Sequence, residues 1–188
     1  MNPREYIDFL SVVEKMKCHT RHSWTSSGRH ESVAEHSWRL ATMAMLCEDE
    51  YPGLDIIKVI TMCLIHDWGE ALTGDVPSFY KTSDHEKEEE NAIAKLLSQL
   101  PVVYREKFAP LFKEMSELKT PESKLYKALD NMEAVLSHNE APISTWIERE
   151  YQENLIYGEE NASWSEWTKA LRQELKQDSL HKINEEKE

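Results

Sequence analysis

The sequence predicts a single all-α domain, a helical bundle, and three observations carry that prediction. Glycine is scarce, 5 of 188 residues, while Leu, Ala, Glu and Lys are plentiful, which favours helices over a turn-rich β fold. Helix-start signals of the form Ser-x-x-Glu recur. No segment alternates convincingly between apolar and polar residues as a half-buried strand does. A chain of this length can bury about two thirds of its unfolded surface, so one domain over 1–180 is the simplest organisation, followed by a flexible tail over 181–188.

The first helix is expected over 3–18. The stretch CHTRHSWTSSGRHESV, Cys18 to Val33, has no helical period and reads as a loop feeding a site, with Arg21 and Arg29 in it. Ser32 and Glu35 form a capping box that opens helix 33–50. Leu40, Met43 and Cys47 share one face of that helix, and His36 lies on the same stripe, so it points inward. Helix 54–72 is apolar nearly all round, through Ile56, Val59, Ile60, Leu64 and Ile65, until His66 and Asp67 interrupt it. Gly74 ends it and Asp75-Val76-Pro77 opens a loop. Ser83 with Glu86 starts helix 84–99, and helix 102–117 follows. Thr120 and an N1 proline, Pro121, start helix 121–139, where Asp130 borders a stripe of Leu125, Ala128, Leu129, Met132 and Leu136. Helices 142–155 and 163–178, the latter opened by Ser163 with Glu166, complete the bundle.

The formal net charge of −13 repels a nucleic acid duplex or an anionic membrane, and no Lys/Arg block offsets it. The acids concentrate in DHEKEEE, Asp84 to Glu90, and at the C-terminus. The segment before Met45 is nearly balanced, so the N-terminal third can receive an anionic small molecule. Cys18, Cys47 and Cys63 are odd in number, lack C-x-x-C spacing and read as buried free thiols, which with the charged opening residues points to the cytoplasm.

A buried charge costs several kcal/mol unless it is paired or bound to a cation, so an ionised Asp67 beside His66 inside a central helix requires a partner. A divalent metal meets that requirement. Imidazole with carboxylate suits Mn, Fe, Co, Ni or Zn better than Mg or Ca. His36, His66, Asp67 and Asp130 would hold such an ion and leave positions open for water and a substrate oxygen. Glu70, one turn beyond the His-Asp pair, is placed as a base or proton shuttle. Each residue alone also has a plainer reading: His36 as a hydrogen-bonded histidine at the core edge, Asp130 as a solvated or lysine-paired acid, Glu70 as a helix-end carboxylate and Arg21 as a surface arginine.

These residues resemble the HD-domain metal-dependent phosphohydrolases, whose pattern is a His, an adjacent His-Asp and a distant Asp. Here it reads SVAEHSWRLA with His36, CLIHDWGEALTGDVP with His66-Asp67, and KLYKALDNME with Asp130. Within that superfamily the sequence is similar to the 5′-deoxynucleotidase branch over roughly residues 4 to 140. The resemblance implies a single HD-domain helical bundle with a metal core over about 30–140 and additional C-terminal helices over 141–180. It implies one divalent ion, Co²⁺ or Mn²⁺ before Fe²⁺, Ni²⁺ or Zn²⁺, held by His36, His66, Asp67 and Asp130. It implies release of the 5′-phosphate of a deoxyribonucleoside monophosphate by attack of metal-bound water. Glu70 would activate or position that water, Asp75 would contact the sugar, and Arg21, fifteen positions before His36, would orient the phosphate. His22 stands where bacterial members often carry Trp. Glu114 matches the start of a Glu-Tyr-Glu element whose other two positions are Met115 and Ser116, so both His22 and Glu114 are substrate-side candidates. A homodimer is also implied. Two rival readings are a di-iron oxygenase, which needs further histidines between the His-Asp pair and the last Asp, where only His85 lies, and a non-catalytic nucleotide-binding module.

Overall fold

Side-chain caps set where most of the helices begin in the computed structural model, which describes residues 1–186. Asn2 and Glu5 close a capping box at α1 (Pro3–Val13). Ser32 and Glu35 do the same at α2 (Val33–Leu46), as the sequence predicts. Asp55 caps α3 (Ile56–Ile65) and Thr120 caps α7 (Pro121–Glu140). Two caps fall elsewhere than expected. Thr82, not Ser83, caps α5 (Ser83–Ser98), with His85 returning the bond. Ser165, not Ser163, caps α10 (Glu166–Glu185), because Ser163 already ends the single-turn α9 (Glu159–Ala162). The remaining helices are α4 (Glu70–Thr73), α6 (Val102–Glu117) and α8 (Glu150–Ile156).

The core forms where α2, α3 and α7 pack on one another. Leu40, Ala44, Val59, Met62, Cys63, Leu125, Leu129 and Met132 are fully buried there. Each of the larger side chains contributes roughly 1.5–3 kcal/mol by leaving water. α10 and α6 cover this wedge through Leu175 and Met115. A smaller cluster of Phe9, Leu96, Leu97 and Leu100 joins α1 to α5. Trp68 bridges to it, edge-on to Phe9 at 5.6 Å and to Phe108 at 5.4 Å. The chain just after α3 is therefore clamped from the far side.

Five expectations are corrected. Helix 54–72 is two helices. α3 stops at Ile65, and the bonds from Trp68 N to Ile65 O and from Glu70 N to Asp67 O tighten the chain into a turn before α4. Gly69 permits that turn to touch α5, since a Cβ there would lie 3.0 Å from Glu89 Cγ and 3.1 Å from its carbonyl oxygen. Gly74, at φ +77°, then redirects the chain toward Asp75. Second, the stretch read as a loop contains a two-stranded antiparallel sheet, β1 (Thr20–Trp24) with β2 (His30–Ser32), paired Thr20 to Ser32 and Trp24 to His30 with an irregularity between. Third, Cys18 is exposed, whereas Cys47 and Cys63 are buried free thiols as expected. Fourth, α10 runs to Glu185 with Ile183 buried, so most of the expected tail is helix, and 187–188 lie outside the described residues. The segment expected as helix 142–155 is helical in α8 only, after a short turn at Ile143–Thr145. No helix among the described residues is long and apolar enough to cross a membrane.

Candidate metal centre

α2, the end of α3 and α7 each deliver candidate ligands to one point. His36 Nε2 lies 3.3 Å from His66 Nε2 and 3.2 Å from Asp130 Oδ1. His66 Nε2 lies 3.0 Å from Asp67 Oδ2 and 3.6 Å from Asp130 Oδ1, and His36 Nε2 lies 3.9 Å from Asp67 Oδ2. All four residues predicted from the sequence are thus brought together, with His36 fully buried, His66 and Asp67 buried and Asp130 partly exposed.

The partners behind these side chains decide what the cluster can bind. His66 Nδ1 sits 2.9 Å from the carbonyl oxygen of Cys63, an acceptor only, so Nδ1 carries the hydrogen and Nε2 presents a lone pair. His36 Nδ1 donates to the buried Glu133 carboxylate, which likewise turns its Nε2 lone pair inward. Two imidazole nitrogens and two carboxylates then face each other, with His36 Nε2 within hydrogen-bond reach of His66 Nε2 and Asp130 Oδ1. Asp67 Oδ2 has no hydrogen-bond partner at all. Adjacent ligands about 2.0–2.2 Å from one ion stand roughly 3 to 3.5 Å apart; the separations here run from 3.0 to 3.9 Å, and the ligand atoms of His36, His66 and Asp67 all lie within 4.8 Å of one another, so the residues fit a divalent cation. The field confirms the sign. Burial and Arg21 push His36 down, yet Glu133 and Asp130 outweigh them and hold it at about 9, so this point attracts positive charge. Burial opposes ionisation of Asp67, but His66, His36 and Arg21 keep its carboxyl well below the usual range, and Lys127 with the histidines does the same for Asp130.

Three supports were not singled out from the sequence. Glu133 orients His36 and is itself held by Arg39 Nε at 2.6 Å, and its pKa falls to about 2 because His36, Arg21 and Arg39 overcome its burial. Lys127 Nζ grips Asp130 Oδ2 at 2.7 Å. Their signal was present in the spacing: Arg39 follows His36 by three positions, and Lys127 and Glu133 flank Asp130 by three on either side.

On its open side the cluster meets a cleft of about 250 Å³ lined by Arg21, His22, His66, Asp67, Glu70, Asp75, Phe79, Lys81 and α8. β1 places Arg21 there, 3.5 Å from Glu31 and 3.6 Å from Asp67 Oδ2, its Nε without a hydrogen-bond partner. Glu70 is buried with Oε2 unpartnered, and burial, then Asp67 and Asp75, raise its pKa to about 10. Burial also raises Asp75, against the pull of Arg21. His22 lines the cleft and pairs with Glu150 at 2.9 Å. Glu114 does not reach it. That residue is engaged by Lys58 at 2.5 Å and by the Thr120 hydroxyl, where it braces α6 against α3 and the start of α7, so its expected substrate contact is corrected to a structural one. His85 is likewise occupied, in the Thr82 cap.

The family model described as HD domain matches residues 13–172. The chain is 33% identical over 141 residues to the 5′-deoxynucleotidase HDDC2 of Dictyostelium discoideum, covering 70% of this chain and 74% of that one. It is 31% identical over 142 residues to the human protein of the same name, covering 73% and 68%. A crystal structure described as a predicted metal-dependent phosphohydrolase, from Magnetospirillum magnetotacticum MS-1, superposes with a TM-score of 0.78 at 26% identity, covering 95% of this chain and 93% of that one. The chain belongs to the HD-domain family of metal-dependent phosphohydrolases.

Proposed function

We propose that this protein is a 5′-deoxynucleotidase, which releases phosphate from deoxyribonucleoside monophosphates with one divalent ion, cobalt or manganese, at His36, His66, Asp67 and Asp130. The observation that carries this reading is the ring of inward lone pairs and carboxylates opening onto a cleft that also holds an arginine. The relatives' shared name supports the choice of substrate.

When bound, the ion supplies Lewis acidity and lowers the pKa of a coordinated water. The remaining work falls to the chain. Arg21, its Nε without a hydrogen-bond partner, presents a guanidinium to the phosphoryl oxygens and neutralises the charge that grows on them as the P–O ester bond breaks. Glu70, held against the ligand Asp67 on the wall of the cleft, positions the attacking water, and the positive charge of a bound ion beside it would favour the ionised carboxylate that takes the water's proton. Asp75, which lines the same cleft, bonds the sugar, where a close carboxylate disfavours a 2′-hydroxyl. Exposed Trp38, Met45, Leu46 and Ile57 on α2 and α3 support the implied homodimer, which light scattering on the purified protein checks.

The test is a phosphate-release screen over ribo- and deoxynucleoside mono- and triphosphates, repeated with several divalent metals. Release from deoxynucleoside monophosphates with Co²⁺ or Mn²⁺, and little from ribonucleotides or triphosphates, is expected. Tight nucleotide binding with no release under any metal would make the protein a binding module instead.

A further inference from the structure

Arg21 and His22 are neighbours on β1, yet both line the cleft. In a regular strand their side chains would point to opposite faces. The register pairs Thr20 with Ser32 and Trp24 with His30, so Arg21, His22 and Ser23 stand opposite Glu31 alone. Such an extra length of strand re-aims the side chains it carries, and here it turns Arg21 toward the ligand cluster. Glu31, on β2, lies behind the arginine, buried and outside the lining of the cleft.

A guanidinium placed this deep needs counter-charge. Burial works against the charge of Arg21, and Asp67, Glu133, Asp75 and Glu31, strongest first, outweigh it. Only two of these four carboxylates form an ion pair with the guanidinium among the described residues: Asp67 Oδ2, 3.6 Å from Nη1, and Glu31 Oε2, 3.5 Å from Nε. The two contacts differ in what else they serve. Asp67 is a candidate metal ligand, and a carboxylate committed to an ion has less charge left for an arginine. Glu133 is already taken by His36 and Arg39. Glu31 is the contact that stays independent of the ion. Its own supports lie away from the cleft: the Ser137 hydroxyl stands between Glu31 Oε2, at 3.4 Å, and Glu133 Oε1, at 3.3 Å, and Arg39 Nη2 is 4.0 Å from Glu31 Oε1. Burial, then Glu133, push the Glu31 carboxyl up, and Arg21 is the first of the cations that oppose this, ahead of His36 and Arg39. Arginine and carboxylate therefore depend on each other.

We propose that Glu31 is a positioning residue for the phosphate-binding arginine: it holds Arg21 by the Nε side, so that the terminal guanidinium nitrogens stay turned to the phosphoryl oxygens once Asp67 is engaged by an ion. This rests on the nucleotidase reading above. The experiment compares Glu31→Gln and Glu31→Asp in the wild-type and Arg21→Ala backgrounds, all metal-loaded. It reads kcat/KM on a deoxynucleoside monophosphate, calorimetric titration of inorganic phosphate, metal affinity and melting temperature. With Arg21 present, Glu31→Gln should lower kcat/KM and phosphate affinity about tenfold while metal affinity stays within about twofold, and Glu31→Asp, which keeps the charge, should recover part of the loss. In the Arg21→Ala background neither substitution should have a further effect. Glu31→Asp carries the same comparison if Glu31→Gln does not fold. An equal loss in both backgrounds would reduce Glu31 to a support of the fold and overturn the proposal, as would undiminished phosphate affinity with Arg21 present. Absence of turnover on every nucleotide would overturn the nucleotidase reading alone, because the phosphate titrations still decide the role of Glu31. Absence of phosphate binding to the wild type would overturn both.

Discussion

The two ends of the cleft are built on opposite terms. At the metal end three of the four candidate ligands are held from behind: His66 by a carbonyl, His36 by Glu133, which Arg39 holds in turn, and Asp130 by Lys127. At the α8 end one buried oxygen serves two side chains, with Glu150 Oε1 2.9 Å from His22 Nε2 and 3.4 Å from His138 Nε2. Preorganised ligands suit an ion whose coordination geometry does not vary, whereas one carboxylate oxygen shared by two imidazoles holds each less firmly. The first end is legible in the sequence as a motif, and the second is not.

The largest expected effect separates chemistry from binding within the preorganised end. Glu70→Ala should retain the metal and lose about 10²- to 10⁴-fold in kcat, as expected for removal of a general base. Metal analysis alongside phosphate release checks this, and full turnover in the variant would remove Glu70 from the chemistry. A smaller effect is expected behind the ligands. Glu133→Gln keeps an acceptor for His36 but discards the charge that polarises it, and metal affinity measured by titration should fall roughly 10–100-fold. Unchanged affinity would show that the support from Glu133 is structural only.

The smallest test concerns packing. Cys63, whose carbonyl holds His66, lies in the sealed wall of the metal end, with its thiol raised well above the ordinary value by burial; Cys47 is pushed up to about 11 for the same reason. Cys18, just before the hairpin that carries Arg21, is exposed. A disulfide reagent at pH 8 should therefore modify Cys18 alone in the native protein and all three thiols after denaturation. Rapid labelling of Cys63 in the native state would mean that the metal end opens.

What the sequence made legible follows from range of interaction. The box of Ser32 with Glu35, the Thr120-Pro121 start and the inward stripe around His36 are decided within a few residues, and all three stand. Helix 54–72 failed because its apolar run says nothing about where it ends; the end is set by Trp68 and Gly69 packing on α1, α5 and α6, contacts remote in sequence. The strand β1 was hidden because its partner is three residues long and the pairing is irregular, so neither strand carries a clean alternation. Glu114 matched a motif fragment but is drawn to Lys58, a competition invisible without the fold. Glu150 and Asn154 carried no spacing signal, since they reach the cleft only through the packing of α8 on α10 and the far end of α7.

The most direct measurement is anomalous diffraction at the cobalt or manganese edge from crystals of the metal-loaded protein. One peak per chain should appear among His36 Nε2, His66 Nε2, Asp67 and Asp130, and it should vanish in His66→Ala. A peak at any other place, or none in a folded and loaded crystal, would contradict the metal centre and with it the proposed hydrolysis.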